Sequence, residues 1–146
     1  LLFMENNGTV IKNIELNAPT SKVWEALTKP ELIKKYFFDC ESISTYEVGA
    51  PIDFVMQKDG QKIVCVTGVI TLCMAEKMLA YTCFTPETEA LKDKHTLVTM
   101  ALIDEQNKTR LTITQGSFKE DKTRYVQSNQ SWNFVLEGLK NLVEVS

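Results

Sequence analysis

The final quarter of the chain places the tightest restriction on its fold. Between Asp121 and Val145, apolar residues recur at Tyr125, Trp132, Val135, Leu136, Leu139, Leu142 and Val143. That three-and-four spacing predicts one long helix with a single apolar face. Lys122, Arg124, Gln130, Asn133, Glu137, Lys140 and Glu144 decorate its other sides. A stripe of this length needs a cover, and the rest of the chain has to supply it.

Upstream of the stripe the pattern changes to period two. Residues 9–16 alternate Val10, Lys12, Ile14 and Leu16 against Ile11, Asn13 and Glu15, which predicts a strand ended by Asn17-Ala18-Pro19. A short helix, TSKVWEALT, follows, with Thr20 or Ser21 expected as its cap. Pro30 ends it and serves as the first position of a second short helix, PELIKKYF. Strands are then expected at 40–46, 52–57, 62–72, 78–84, 96–103 and 109–117, with Asp59-Gly60 marking a tight hairpin. Gly68 lies inside the longest strand and points to a bulge or bend. The polar stretch 86–94 is expected to be loop. Strands grouped together and followed by a long helix mean α+β rather than α/β.

Alternation also assigns faces. Val98, Met100 and Leu102 share one side of their strand, and Leu111 and Ile113 oppose Arg110, Thr112 and Thr114. One face of the sheet is therefore greasy, and the terminal helix is the element able to cover it. A strongly twisted sheet need not meet a helix along its full length, so a pocket can remain between them. Phe37, Phe54, Met56, Tyr81, Met100, Leu102, Trp132, Val135, Leu136 and Leu139 are candidates to line it, with plain core packing as the alternative for each. Gln115 continues the Leu111–Ile113 face, either into the pocket or as a strand end reaching solvent. Tyr81 and Trp132 carry donors that need partners when buried, and either is suited to orient a guest's polar end. Gly138 inside the helix allows close approach of another element.

Several function classes are disfavoured. Net charge is −3 with no basic block, which removes the footprint of a nucleic-acid binder. No apolar run approaches the roughly 20 residues of a membrane span. Cys40, Cys65, Cys73 and Cys83 form no C-x-x-C pair and the chain has one histidine, so no metal site is expected. Free cysteines in apolar strands suit a reducing cytoplasm. His95 falls in a polar stretch and reads as a solvated surface residue. No nucleophile elbow, phosphate-binding glycine loop or calcium loop is present, so an enzymatic reading has the least support and no cofactor is implied. Residues 1–8 are expected to be a frayed or added terminus, with Met4 as the natural start, and 9–146 to form one domain.

Four stretches resemble a known family. APTSKVWEALTKPELIKKYF is similar to the opening of the START-like (SRPBCC) superfamily, nearest the subgroup named for activators of the ninety-kilodalton heat-shock chaperone's ATPase. GVITLCMAEKMLAYT, TLVTMALIDEQNKTRLTITQGSF and SWNFVLEGLKNLVEV resemble that subgroup's strand pair, hairpin and terminal helix. Ser131 replaces the usual glycine before the helix tryptophan, Tyr36 replaces a tryptophan, and Ala75 stands where proline is common. The resemblance implies a helix-grip fold, a curved antiparallel sheet of six to seven strands around the C-terminal helix, with two short helices after the first strand. It also implies a cavity for a hydrophobic small molecule, or a protein-interaction role toward the chaperone, as a monomer or a homodimer.

Overall fold

The computed structural model describes residues 5–145. The expected α+β helix-grip architecture is found, with a curved seven-stranded antiparallel sheet wrapped around a long C-terminal helix. The strands are β1 (Val10–Leu16), β2 (Glu41–Ile43), β3 (Pro51–Lys58), β4 (Gln61–Met74), β5 (Met78–Cys83), β6 (Thr96–Glu105) and β7 (Lys108–Gly116). Helices α1 (Thr20–Thr28) and α2 (Pro30–Ile33) follow β1, and α3 (Lys122–Val143) closes the chain. The sheet order is β1-β7-β6-β5-β4-β3-β2, so the first strand returns to pair with the last. Two hairpins turn through adjacent left-handed residues, Asp59-Gly60 and Gln106-Asn107, the backbone that matches strand twist in two-residue loops.

The inward face holds the core. Val10, Leu16, Ile52, Ile70, Leu79, Val98, Leu111 and Ile113 are fully enclosed. Against them α3 lays Trp132, Val135, Leu136, Leu139 and Val143. The outward set is exposed, as at Leu97 and Ile103, because neighbours in a strand point to opposite sides.

The helix is tied down along its length. Asp121 is its N-cap, accepting from the Arg124 backbone N–H at 3.2 Å, as its place before the helix suggests. At the other end Glu144 accepts from the Asn17 backbone N–H at 2.7 Å and from Lys140 Nζ at 2.7 Å. Between them Gly138 meets Tyr36, where an added Cβ would stand 2.9 Å from the tyrosine Cβ. The Tyr36 hydroxyl in turn donates to the Ala26 carbonyl at 2.6 Å, so α1, the segment after α2 and α3 lock together.

Gly68 does not itself form a bulge. The register slips on either side of it, at Cys65 opposite β3 and at Thr71 opposite β5. Gly68 stands where a Cβ would lie 1.6 Å from the Thr82 carbonyl oxygen, so the glycine permits contact and the two bulges supply the bend.

Three local expectations are corrected. Helix α1 starts from Pro19 with no side-chain cap, and the Thr20 hydroxyl instead donates to Glu76 at 2.8 Å. The second short helix keeps helical form only over Pro30–Ile33 and continues as turns, with Phe38 and Asp39 both left-handed at φ of 52° and 62°. The ordered backbone begins before residue 9: Glu5–Gly8 form a 3-10 turn, and the Gly8 carbonyl accepts from the Phe118 N–H at 2.8 Å. Residues 1–4, including the expected start at Met4, lie outside the described residues. Among those residues no helix is long and apolar enough to cross a membrane.

Candidate functional site

The interface between sheet and α3 has two unlike halves. Its inner half encloses a void of about 20 Å³ among Leu27, Ile33, Leu79, Met100, Ile113 and Leu139. That is room for about one water, so this half is packed core. The outer half opens into a cleft of about 460 Å³, within the size range of small-molecule pockets. Phe37, Phe54, Tyr81, Trp132 and Val135 border both spaces and form the wall between them.

The candidate residues divide accordingly. Phe37, Phe54, Met56, Tyr81, Gln115, Trp132 and Val135 come together around the cleft. Met100 and Leu139 face only the inner void, and Leu102 and Leu136 border neither space. Those last four are buried side chains of the core cluster.

The aromatic wall is a connected set. Phe37 and Phe54 have ring centres 5.0 Å apart, Phe54 and Tyr81 5.7 Å, and Phe37 and Trp132 6.4 Å, all tilted. Tilted pairs at these distances are favourable for ring quadrupoles, which keeps the wall rigid. The bulge in β4 has a direct effect here. Cys65 and Val66 are consecutive, and a regular strand would send them to opposite faces, yet both line the cleft because Cys65 is the extra residue.

Gln115 joins the sheet to the helix. Its Oε1 accepts from Trp132 Nε1 at 2.8 Å and from Ser128 Oγ at 2.9 Å. The indole nitrogen is donor-only, which identifies the amide atom it meets as the oxygen. Nε2 then donates to Thr96 Oγ1 at 3.0 Å and more weakly to Cys83 Sγ at 3.6 Å. Gln115 therefore does not run out to solvent as a strand end. It is a strut with its amide already engaged, and it takes up the Trp132 donor as well.

Tyr81 differs. It is 3% exposed, and its hydroxyl has no hydrogen-bond partner among the described residues. No buried side-chain polar atom there is both sealed off and unpaired, so this hydroxyl keeps contact with open space, and Tyr81 borders both the inner void and the cleft. An unpaired donor on the wall of an apolar cleft suits the polar atom of a guest.

Sequence reasoning missed much of the outer rim: Phe38, Cys40, Cys83, Phe84, Thr85, Thr88, Thr96, Val98 and Phe118 all line it. It also missed the part of α3 that carries Arg124, Gln127, Ser128 and Ser131. A signal for the helical set was present, since these residues continue the spacing of Trp132 and Val135 by threes and fours. His95 is corrected too. It is half-buried, its ring stacks on Phe84 at 4.0 Å, and Nε2 sits 3.1 Å and 3.0 Å from the Thr88 and Glu89 carbonyls. Carbonyls only accept, so Nε2 carries the proton and His95 fastens the loop beside the cleft.

Burial dominates the titration of this region. It pushes the Tyr36 and Tyr81 hydroxyls well above their usual range, Tyr46 up to about 12, and the Cys83 thiol up to about 11. Cys40 is pushed up to about 12, first by burial and then by the neighbouring Cys65. These groups are neutral at pH 7, and none is an activated nucleophile. The folded chain holds these protons at a pH where the unfolded chain has released them, so stability falls as pH rises past about 9 to 10, the ordinary thiol and phenol range. Urea unfolding at pH 7.5 and pH 10.5 is expected to show a lower midpoint at the higher pH. An unchanged or higher midpoint would contradict the burial of these groups. Among the described residues no group of His, Cys, Asp or Glu is arranged to hold a metal ion.

The same architecture occurs in solved structures. ChR145 from Cytophaga hutchinsonii is 30% identical, with 93% of each chain covered and a TM-score of 0.77. MLL2253 from Mesorhizobium loti is 25% identical over 93% of this chain and 96% of that one, at a TM-score of 0.76. The Aha1 dimer from Colwellia psychrerythraea shares the fold at 19% identity and a TM-score of 0.74, covering 94% and 96%. A comparison with curated proteins finds no match. Residues 17–144 match the family described as Activator of Hsp90 ATPase homolog 1-like protein. That match spans both short helices, six of the seven strands and all of α3, and so this chain belongs to that family within the START-like superfamily.

Proposed function

We propose that this protein holds a hydrophobic small molecule in the cleft between its sheet and the outer half of α3. The observation that carries this is a space of about 460 Å³ walled by Phe37, Phe54, Met56, Trp132 and Val135, with Tyr81, whose hydroxyl is unpartnered, in the same wall. Ligand pockets have this character: mostly apolar, with a few polar groups that set orientation. Met56 adds a flexible, polarizable wall that adapts to shape.

Native mass spectrometry of freshly purified protein is the direct test, with a co-purifying small molecule as the expected result. Titration with the neutral dye N-phenyl-1-naphthylamine provides a second. The dye is expected to bind, and Cys65→Trp, which fills the cleft from a half-buried bulge position, is expected to weaken it about tenfold or more while leaving the circular dichroism spectrum unchanged. No dye binding together with a clean apo mass would defeat the proposal.

A second reading is a protein-facing role of the kind the family is named for. Phe38 and Phe134 favour it, because they stack at 5.2 Å yet are 46% and 61% exposed. Exposed aromatic pairs are common anchors of protein contacts. Pull-down with the heat-shock chaperone tests this reading, and no enrichment over a Phe134→Ser control would remove it.

A further inference from the structure

We infer that the cleft selects an anionic amphiphile, an apolar body bearing a carboxylate-type group, with Arg124 recognising the charge and Tyr81, in the aromatic wall, meeting a polar atom. The inference rests on the reading of the cleft as a ligand site and goes further by naming the ligand's chemistry.

Among the described residues lining the cleft, Arg124 is the one charged side chain. It is half-buried and held from two sides. Nη2 donates to the Lys94 carbonyl at 2.8 Å, and the guanidinium lies 5.0 Å from the centre of the Phe118 ring. Neither contact neutralises it. The nearby carboxylate of Asp121 accepts the Arg124 backbone N–H and lies 3.5 Å from Lys94 Nζ, and its carboxyl is held below the usual range first by that backbone bond and then by the Lys94 and Arg124 charges. No ion pair of the Arg124 side chain is found among the described residues. The charge reaches the cleft interior, since it works against the upward push of burial on the Cys83 thiol.

A guanidinium fixed by a carbonyl and a ring, with donors to spare, is preorganised for a two-oxygen anion. Partial burial strengthens such a contact relative to one in water. The aromatic wall of the site calls for a different group. Tyr81 is enclosed by Phe54 and other apolar neighbours and has no charge beside it, so it suits a hydroxyl or carbonyl rather than a second ion. The two groups together describe an apolar ligand that carries one charged group and one weakly polar atom.

The test uses displacement of N-phenyl-1-naphthylamine by decanoate and by decanol, which share a chain and differ in the charged end. Wild type is expected to bind decanoate about tenfold or more tighter than decanol, the worth of one charge-assisted contact. Arg124→Gln is expected to lose that preference, so that decanoate and decanol displace the dye equally. Arg124→Lys, which keeps the charge without the fork, is expected to retain part of it. Raising the salt concentration should narrow the preference in wild type, a readout independent of any variant's folding. Equal affinities in wild type, or a preference that survives in Arg124→Gln, would overturn the inference while dye binding left the cleft reading standing. Failure of the dye to bind would remove both.

Discussion

Gly68→Ala is expected to remove a large share of the protein's stability. The new methyl carbon would sit 1.6 Å from the Thr82 carbonyl oxygen and 2.6 Å from its carbon, both main-chain atoms. A flexible side chain could swing aside from such a clash, but paired backbone cannot. The adjoining residue Thr67 is bonded to Phe84 in both directions, at 2.8 Å and 2.9 Å, and the Val69 N–H donates to the Thr82 hydroxyl at 2.9 Å. Relief therefore means parting β4 from β5 between its two bulges. A cost of about 4 kcal/mol or more is expected, against a total stability of about 5–15 kcal/mol for a domain. Urea denaturation followed by circular dichroism measures it. A variant within about 0.5 kcal/mol of wild type would show that the strands part easily there.

Leu139→Ala is expected to cost about 2–5 kcal/mol, the range for removing a buried leucine from a site that cannot collapse. Leu139 is 1% exposed and faces the small inner void, with the sheet on one side and its own helix behind. The surrounding side chains already fill their space and cannot follow the retreating methyls. Dye binding should remain within about twofold of wild type, because the cleft lies on the other side of the Trp132–Val135 wall. A stability change near zero would mean the inner half is not packed, and lost dye binding would mean the two halves are one site.

Much of this was legible in the chain. Helix α3 shows in the spacing of Trp132, Val135, Leu136, Leu139 and Val143, and β6 and β7 in strict alternation, because burial of one face imposes a period on a local segment. The Asp59-Gly60 hairpin shows because few residue pairs tolerate that backbone. What escaped depends on partners distant in sequence. The end of α2 after Ile33 follows from Tyr36 turning to reach Ala26 and Gly138, which no local pattern records. The bulge at Cys65 has no residue signature, so the cleft position of both Cys65 and Val66 could not be read. Seven of the eleven proposed lining residues do gather at the cleft, and five of those seven also border the inner void. Leu102, Leu136, Met100 and Leu139 share their periodicity and hydrophobicity. Only the three-dimensional separation of sheet from helix distinguishes the two groups. Arg124 reads as surface decoration because a charge on a helix usually is; its contacts with Lys94 and Phe118 come from loops 30 and six residues away.

The contrast between a filled inner half and an open outer half divides the chain's tolerance for change. Leu79, Ile113 and Leu139 hold the sheet to the helix and cannot vary in volume without loss of stability. Met56, Cys65 and Val66 are only half-buried, and alterations there reshape the cleft without opening the core. A scaffold arranged this way can change the shape of its cleft through a few rim substitutions at small folding cost, so divergence there does not have to wait for compensating gains in stability.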